Sequence, residues 1–212
     1  MAGISNYNEL KTAIAGWTIR SDMTTIIPTF IDNFESVARR DPRIRNLTSV
    51  DFSVDSIEED LPSDFRSLES LWHDGPTYEG EIEIVSAGSL AEFGGGSGST
   101  GVVCAGAISG QEKVIRFAPP PSETFALKMR YWATIVRLGD SVQSNWLLAE
   151  HSDIYLYGCL IETAPYLKND SRVGLWRAEY ERRITELDAN IKDGQWGGSL
   201  LRRPSRNFNV GE

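Results

Sequence analysis

Cysteine is nearly absent: Cys104 and Cys159 are the only two in 212 residues. A disulfide-framed fold is excluded, and the apolar neighbours of both lead one to expect two buried free thiols. Histidine is as scarce, with only His73 and His151. Four such residues scattered singly make no metal-ligand spacing, so neither a metal nor a cofactor is expected. Basic charge is in deficit, 21 Lys and Arg against 30 Asp and Glu, for a net charge of −9. A chain so acidic has no general attraction for nucleic-acid phosphates. Long apolar runs are missing too. The densest, Ile154 to Ala164, falls well short of the ~20 residues that span a bilayer, and no membrane partner is expected. Met1 to Tyr7 has neither a basic region nor an apolar core, so no secretory signal is expected and synthesis is read as cytoplasmic.

What is present is ordinary globular composition, 41% hydrophobic and 24% charged, enough for one or two domains with a sizeable core. Tyr7 to Trp17 carries Leu10, Ile14 and Trp17 at helical spacing. Ile26 to Arg40 is a stronger amphipathic helix, with Ile27, Phe30, Ile31, Phe34, Val37 and Ala38 on one stripe and Asp32, Asn33, Glu35 and Ser36 read as the outer face. The period then changes to two: Val50, Phe52 and Val54 alternate with polar residues, and Phe65 to Trp72, Glu81 to Val85 and Thr124 to Trp132 read as further strands. Ile57 to Phe65 reads as an acidic turn, Ser86 to Phe93 as a helical turn, and Gly94 to Gly101 as a flexible connector. Val102 to Ile108 and Lys113 to Phe117 form a hairpin turning at Ser109-Gly110.

Beyond Asp140 the chain is helical again. Ser144 is placed to cap Trp146 to Glu150, and Ser152 to cap Ile154 to Ala164, ahead of a break at Pro165. A long final helix carries Val173, Trp176, Tyr180, Ile184, Leu187 and Ile191 on one seam and ends at Asp193-Gly194. The residues expected at the centre of the helical layer are Trp146, Tyr155, Leu156, Tyr157, Cys159, Leu160, Tyr166, Trp176 and Tyr180. The predicted fold is α+β: a helical bundle (1–46 and 137–193) with an inserted, small, mainly antiparallel β-sheet domain (47–136) and an extended C-terminal arm (194–212). The arm has no period yet holds Trp196, Leu200, Leu201, Phe208 and the arginines Arg202, Arg203 and Arg206. It reads either as folding back on its own domain or as docking on a partner.

Catalytic chemistry finds little support. A reactive thiol needs an electropositive, partly open setting, and neither cysteine has one in the sequence. His151-Ser152-Asp153 has triad residue types in a row, but a helix boundary explains them. The glycine run lacks the lysine of a phosphate loop, and Glu58, Glu59 and Asp60 lack the spacing of a calcium loop.

Three segments resemble a known family. Asn145-Trp146-Leu147-Leu148, then Glu150-His151-Ser152-Asp153-Ile154-Tyr155-Leu156-Tyr157-Gly158, then Glu162-Thr163-Ala164-Pro165-Tyr166-Leu167-Lys168-Asn169-Asp170 are similar to the N-W-L-L, H-x-D-hydrophobic-Y-L-Y-G and E-x-x-P-Y-L-K-x-D segments of the head-to-tail adaptor (connector) proteins of tailed bacteriophages, short-tailed ones in particular. Trp176 and Tyr180 match the family's terminal helix, Leu61-Pro62-Ser63-Asp64-Phe65 its L-P-x-D-F element, Ile115 to Pro119 its strand ending in proline, and Thr124 to Trp132 its Y-T-L-x-L-x-Y-Y strand. The resemblance covers most of residues 7 to 192. Two departures are Ser152, where proline is common, and the glycine-rich insert. The resemblance implies a non-enzymatic virion protein: a homo-oligomeric ring of twelve subunits that joins the portal protein to the tail or nozzle protein, helps retain packaged DNA, and lets DNA pass without sequence-specific binding. Trp196, Leu200, Leu201, Arg202, Arg203, Arg206 and Phe208 are then read as a partner-docking arm. The alternatives are a tail or baseplate module binding a host glycan or another tail protein through Trp72, Tyr78 and Trp132, and a hydrolase using Cys159 and His151.

Overall fold

The computed structural model describes residues 3–94, 100–167 and 171–195. All seven residues of the expected docking arm, and positions 95–99 of the glycine-rich segment, lie outside them. Two helices open the chain, α1 (Tyr7–Thr18) and α2 (Ile27–Ala38). The side chain of Asn6 caps α1 by accepting from the Glu9 amide. Pro28 stands in the first turn of α2, where its missing N–H costs nothing. Eight strands follow: β1 (Asn46–Val54), β2 (Glu58–Asp60), β3 (Phe65–Asp74), β4 (Glu79–Glu81), β5 (Glu83–Ile84), β6 (Ala105–Ser109), β7 (Val114–Ala118) and β8 (Phe125–Ala133). Four helices close the described chain: α3 (Trp146–Glu150), α4 (Ser152–Glu162), α5 (Ala164–Leu167) and α6 (Val173–Gln195), the last running slightly past the expected Asp193-Gly194 stop.

The strands form two four-stranded sheets rather than one, ordered β1-β8-β3-β4 and β2-β7-β6-β5. After Glu81 the chain leaves the edge of β3 at Ile82, whose amide still bonds to Leu71, and runs parallel to β6 in the second sheet. A two-residue strand carries no periodicity, so this crossing is invisible to alternation. The acidic stretch at 58–60 is likewise a strand, not a turn. It pairs with β7, and Glu58 meets Arg116 at 2.6 Å.

Alternation along β8 turns Phe125, Leu127, Met129 and Tyr131 inward. They pack with Val54, Leu71, Ile115 and Phe117 into a core shared by the two sheets. The helices have their own core, in which Leu10, Ile14, Ile31, Phe34, Ile44, Ile135, Leu147, Tyr155, Cys159, Leu160, Trp176 and Ile184 are buried. α4 lies within it, in contact with α1, α2, α3 and α6, which is why it is apolar nearly all round. Gly158 lets α2 approach α4: a methyl group there would overlap the Phe34 ring. Tyr155, Leu156, Cys159, Leu160, Trp176 and Tyr180 are buried, and Trp146 and Tyr157 pack against this core half-buried.

Several residues lie elsewhere than expected. Tyr166 is exposed, because Pro165 and the single turn of α5 carry it off the end of α4; only one ring edge meets Phe30. Val37 is exposed. Cys104 is also exposed, since it precedes β6 and its neighbour Val103 takes the inward position. Asn145, not Ser144, caps α3 by accepting from the Leu148 amide. His151 stands at the junction of α3 and α4 without a side-chain cap bond, and Asp153 rather than Ser152 accepts an amide there.

Candidate assembly surfaces

The helical layer is held at its centre by a buried carboxyl. Glu35 is fully buried, not on the outer face of α2. Its Oε1 accepts from the Leu138 amide at 2.9 Å and from the Tyr155 hydroxyl at 2.5 Å. Asn145 donates to the Tyr155 oxygen at 3.0 Å and to the Val136 carbonyl at 2.7 Å. One network therefore ties α2 and α4 to the segment that leads from β8 back to the helices. Burial pushes the Glu35 carboxyl above its ordinary pKa, against the hydrogen bonds from Tyr155 and Leu138. Burial also pushes the Tyr155 hydroxyl up, helped by the neighbouring carboxylate.

The spacing of α2 contained the signal for this. Glu35 follows Ile31 by four and precedes Ala38 by three, which places it beside the apolar stripe. Its partners, 103 and 120 residues away in the chain, could not be read from the sequence.

This scaffold fixes the direction of α6. Arg43 joins Glu181 at 2.8 Å, Arg183 pairs with Asp153 and Glu179, and the Arg183 guanidinium lies 4.6 Å from the Tyr157 ring. With 23 residues, α6 is about 34 Å long at ~1.5 Å per residue. Two unlike surfaces lie at its two ends.

At the N-terminal end, Arg172 donates to the carbonyl of Trp17 at 3.0 Å and so draws the close of α1 against the start of α6. Around that contact stand exposed apolar side chains: Ile19 at 82%, Leu175 at 61% and Tyr166 at 43%. The Arg20 guanidinium lies 6.0 Å from the Tyr166 ring. Ile19 also has a left-handed backbone, φ 55°, which is costly for a β-branched residue.

At the C-terminal end, Asn190, Ile191 and Gly194 face Leu47 of β1 and Arg130 and Trp132 of β8 across a groove of about 260 Å³. Trp132 donates to Glu69 at 3.1 Å. Glu69 in turn lines a second concavity, of about 410 Å³, where β3 and the β4–β5 crossing diverge and Glu81, Glu83 and Ile84 stand exposed.

Nothing resembling a catalytic arrangement is assembled among the described residues. Cys159 is sealed in the helical core and burial raises its thiol pKa. Neither histidine side chain hydrogen-bonds to a cysteine; His73 Nε2 instead donates to the Val103 carbonyl at 2.7 Å. Among the described residues no cluster of three metal-binding side chains occurs, and no helix is long and apolar enough to cross a membrane. The aromatics that the glycan-binding alternative needs on an exposed sheet face do not form one: Trp132 is buried under Arg45, and Trp72 and Tyr78 are half-buried.

Compared with known proteins, residues 5–203 match the model of a family described as SU10 adaptor protein. No curated protein matches the chain.

Proposed function

This chain belongs to the SU10 adaptor protein family, and from that premise we propose that it is a structural subunit of a phage head-to-tail adaptor ring, without enzymatic activity. The match over residues 5–203 carries this reading. In it, twelve copies close beneath the portal, join it to the tail or nozzle protein and help retain the packaged DNA within the virion. The geometry supports it in a specific way. A ring is built from heterologous contacts, in which each subunit offers one patch and receives another. Here the apolar end around Ile19, Tyr166 and Leu175 and the groove beside Trp132 are different surfaces set apart by one helix, along which Leu175 and Ile191 are ~24 Å from each other.

Residues 1–46 and 137–193 then form the bundle that sets this separation, with Tyr155, Cys159, Trp176 and Tyr180 as its packed centre. Residues 47–136 form the sheet insertion, and residues 194–212 are an arm that presents Trp196, Leu200, Leu201 and Phe208 to the portal or to an adjacent subunit. The net charge of −9 suits a channel through which DNA moves without adhering. Deleting residues 195–212 and measuring capture by a purified portal ring tests the arm. Loss of capture is expected, and unchanged binding would remove the arm from the reading.

A further inference from the structure

Residues 196–212 follow directly on the helix end that walls the groove at Trp132. They contain Arg202, Arg203, Arg206 and one acid, Glu212, which makes the arm +2 on a chain whose remainder is −11. The charge is also ordered. Trp196 to Leu201 are uncharged and rich in apolar groups, and the arginines come only afterwards.

The surface beyond α6 has the same order. Nearest the helix end is the groove, with Leu47, Trp132 and Ile191 as its apolar lining and exposed Arg130 as its charge. Across β8 and β3 lies the acidic concavity of Glu69, Glu81 and Glu83. None of those three carboxylates has an ion-pair partner among the described residues. The Trp132–Glu69 hydrogen bond joins the two sites.

β3 is also unpaired along its outer edge before Leu71: β4 pairs only with Trp72, His73 and Asp74, and Ile82 closes on Leu71. Its free backbone groups can take an extended segment. In the sheet order β1-β8-β3-β4, groove and concavity are about two strand spacings apart, ~10 Å. The 17 residues of the arm that follow α6 reach about 56 Å when extended at ~3.3 Å per residue.

We propose that in the free subunit the arm lies back across its own first sheet, with Trp196, Leu200 and Leu201 in the groove beside Trp132 and Arg202, Arg203 and Arg206 over Glu69, Glu81 and Glu83. The sheet thus stores the arm until a partner competes for it. This placement goes beyond the ring reading and does not depend on it.

The test is limited trypsin digestion of the full chain, following cleavage after Arg202 and Arg206 by mass spectrometry. Docking predicts cleavage at least about tenfold slower in the parent chain than in the triple variant Glu69→Gln, Glu81→Gln, Glu83→Gln, with the protection fading as salt is raised. The glutamine side chains keep size and hydrogen bonding, so the fold is retained, and Trp196→Ala should expose the same bonds by emptying the groove. Equal cleavage rates in all three proteins overturn the proposal.

A photoreactive side chain at position 201, in an equal mixture of unlabelled and ¹⁵N-labelled chains, identifies the occupant. Crosslinks to residues 46–47, 130–132 or 68–84 within one isotope are expected. Mixed-isotope pairs, which mean the arm of a second copy, or crosslinks elsewhere overturn it. Portal capture by a chain whose arm proves unprotected would leave the ring reading standing.

Discussion

Replacing Gly158 by alanine sets two effects of opposite sign against each other. Gly158 lies inside α4, where helix propensity alone favours alanine by about 1 kcal/mol. Packing opposes it: a Cβ at 158 would overlap the Phe34 ring, standing 2.8 Å from its Cζ. Phe34 cannot swing clear. It is 2% exposed, with Tyr155 edge-on at 5.0 Å and Tyr180 at 6.1 Å. Forcing one extra carbon into such a site costs typically ~1–3 kcal/mol, and the depth of this overlap puts it at the upper end. The net expectation is a loss of about 2 kcal/mol, or a fall in Tm of ~4–8 °C for a chain of this length. Urea denaturation and calorimetry measure it directly. In a Phe34→Leu background the added cost of Gly158→Ala should shrink or reverse, and that coupling identifies the ring as the cause. A rise in Tm for Gly158→Ala alone would refute the packing of α2 on α4 through this residue.

Other expectations follow from the same contacts. The Glu35 carboxyl has its pKa raised in the folded chain by burial, so its stabilising contribution is full below the unfolded carboxyl value and is lost as pH rises through the folded one. Glu35→Gln should therefore gain on the parent chain as pH rises from about 4 towards neutrality, read as a growing difference in urea midpoints; a flat or shrinking difference counts against a buried, proton-preferring carboxyl. Ile19→Asn should relieve the left-handed strain at φ 55° and raise stability by ~1 kcal/mol, while weakening assembly by removing an apolar side chain that is 82% exposed. Stability and assembly falling together would show that Ile19 is structural rather than a contact residue. Tyr155→Phe should cost about 1–3 kcal/mol, because it leaves the buried Glu35 Oε1 with one donor instead of two; a neutral outcome in chemical denaturation would argue that the hydroxyl does not hold α2 to α4.

Much of this molecule is legible from local pattern. The stripe of α2, the seam of α6 and the alternation of β8 each repeat at the period of their element, because one face of each is buried. What local pattern could not supply is any feature decided by distant partners. Glu35 stands beside the apolar stripe of α2, but the groups that hold it, Leu138 and Tyr155, come from far along the chain. Glu58 to Asp60 read as a turn because an edge strand with solvent-facing acids has no apolar member, yet β7 pairs with it. Cys104 has the neighbours of a core residue, but regular alternation takes Val103 and Ala105 inward and turns it outward. Tyr166 reads as a core residue because it follows the apolar α4, yet Pro165 and the single turn of α5 take its ring to the surface. The candidate surfaces were the least visible of all. The groove at the end of α6 joins positions 47, 132 and 191, and no periodicity relates them.

Negative-stain imaging of the full chain, alone and mixed with a purified portal ring, tests the adaptor reading most directly. A closed ring of twelve copies capping the portal is the expected result. Unoccupied portal rings beside dispersed monomers, at concentrations where the chain is folded, would contradict it.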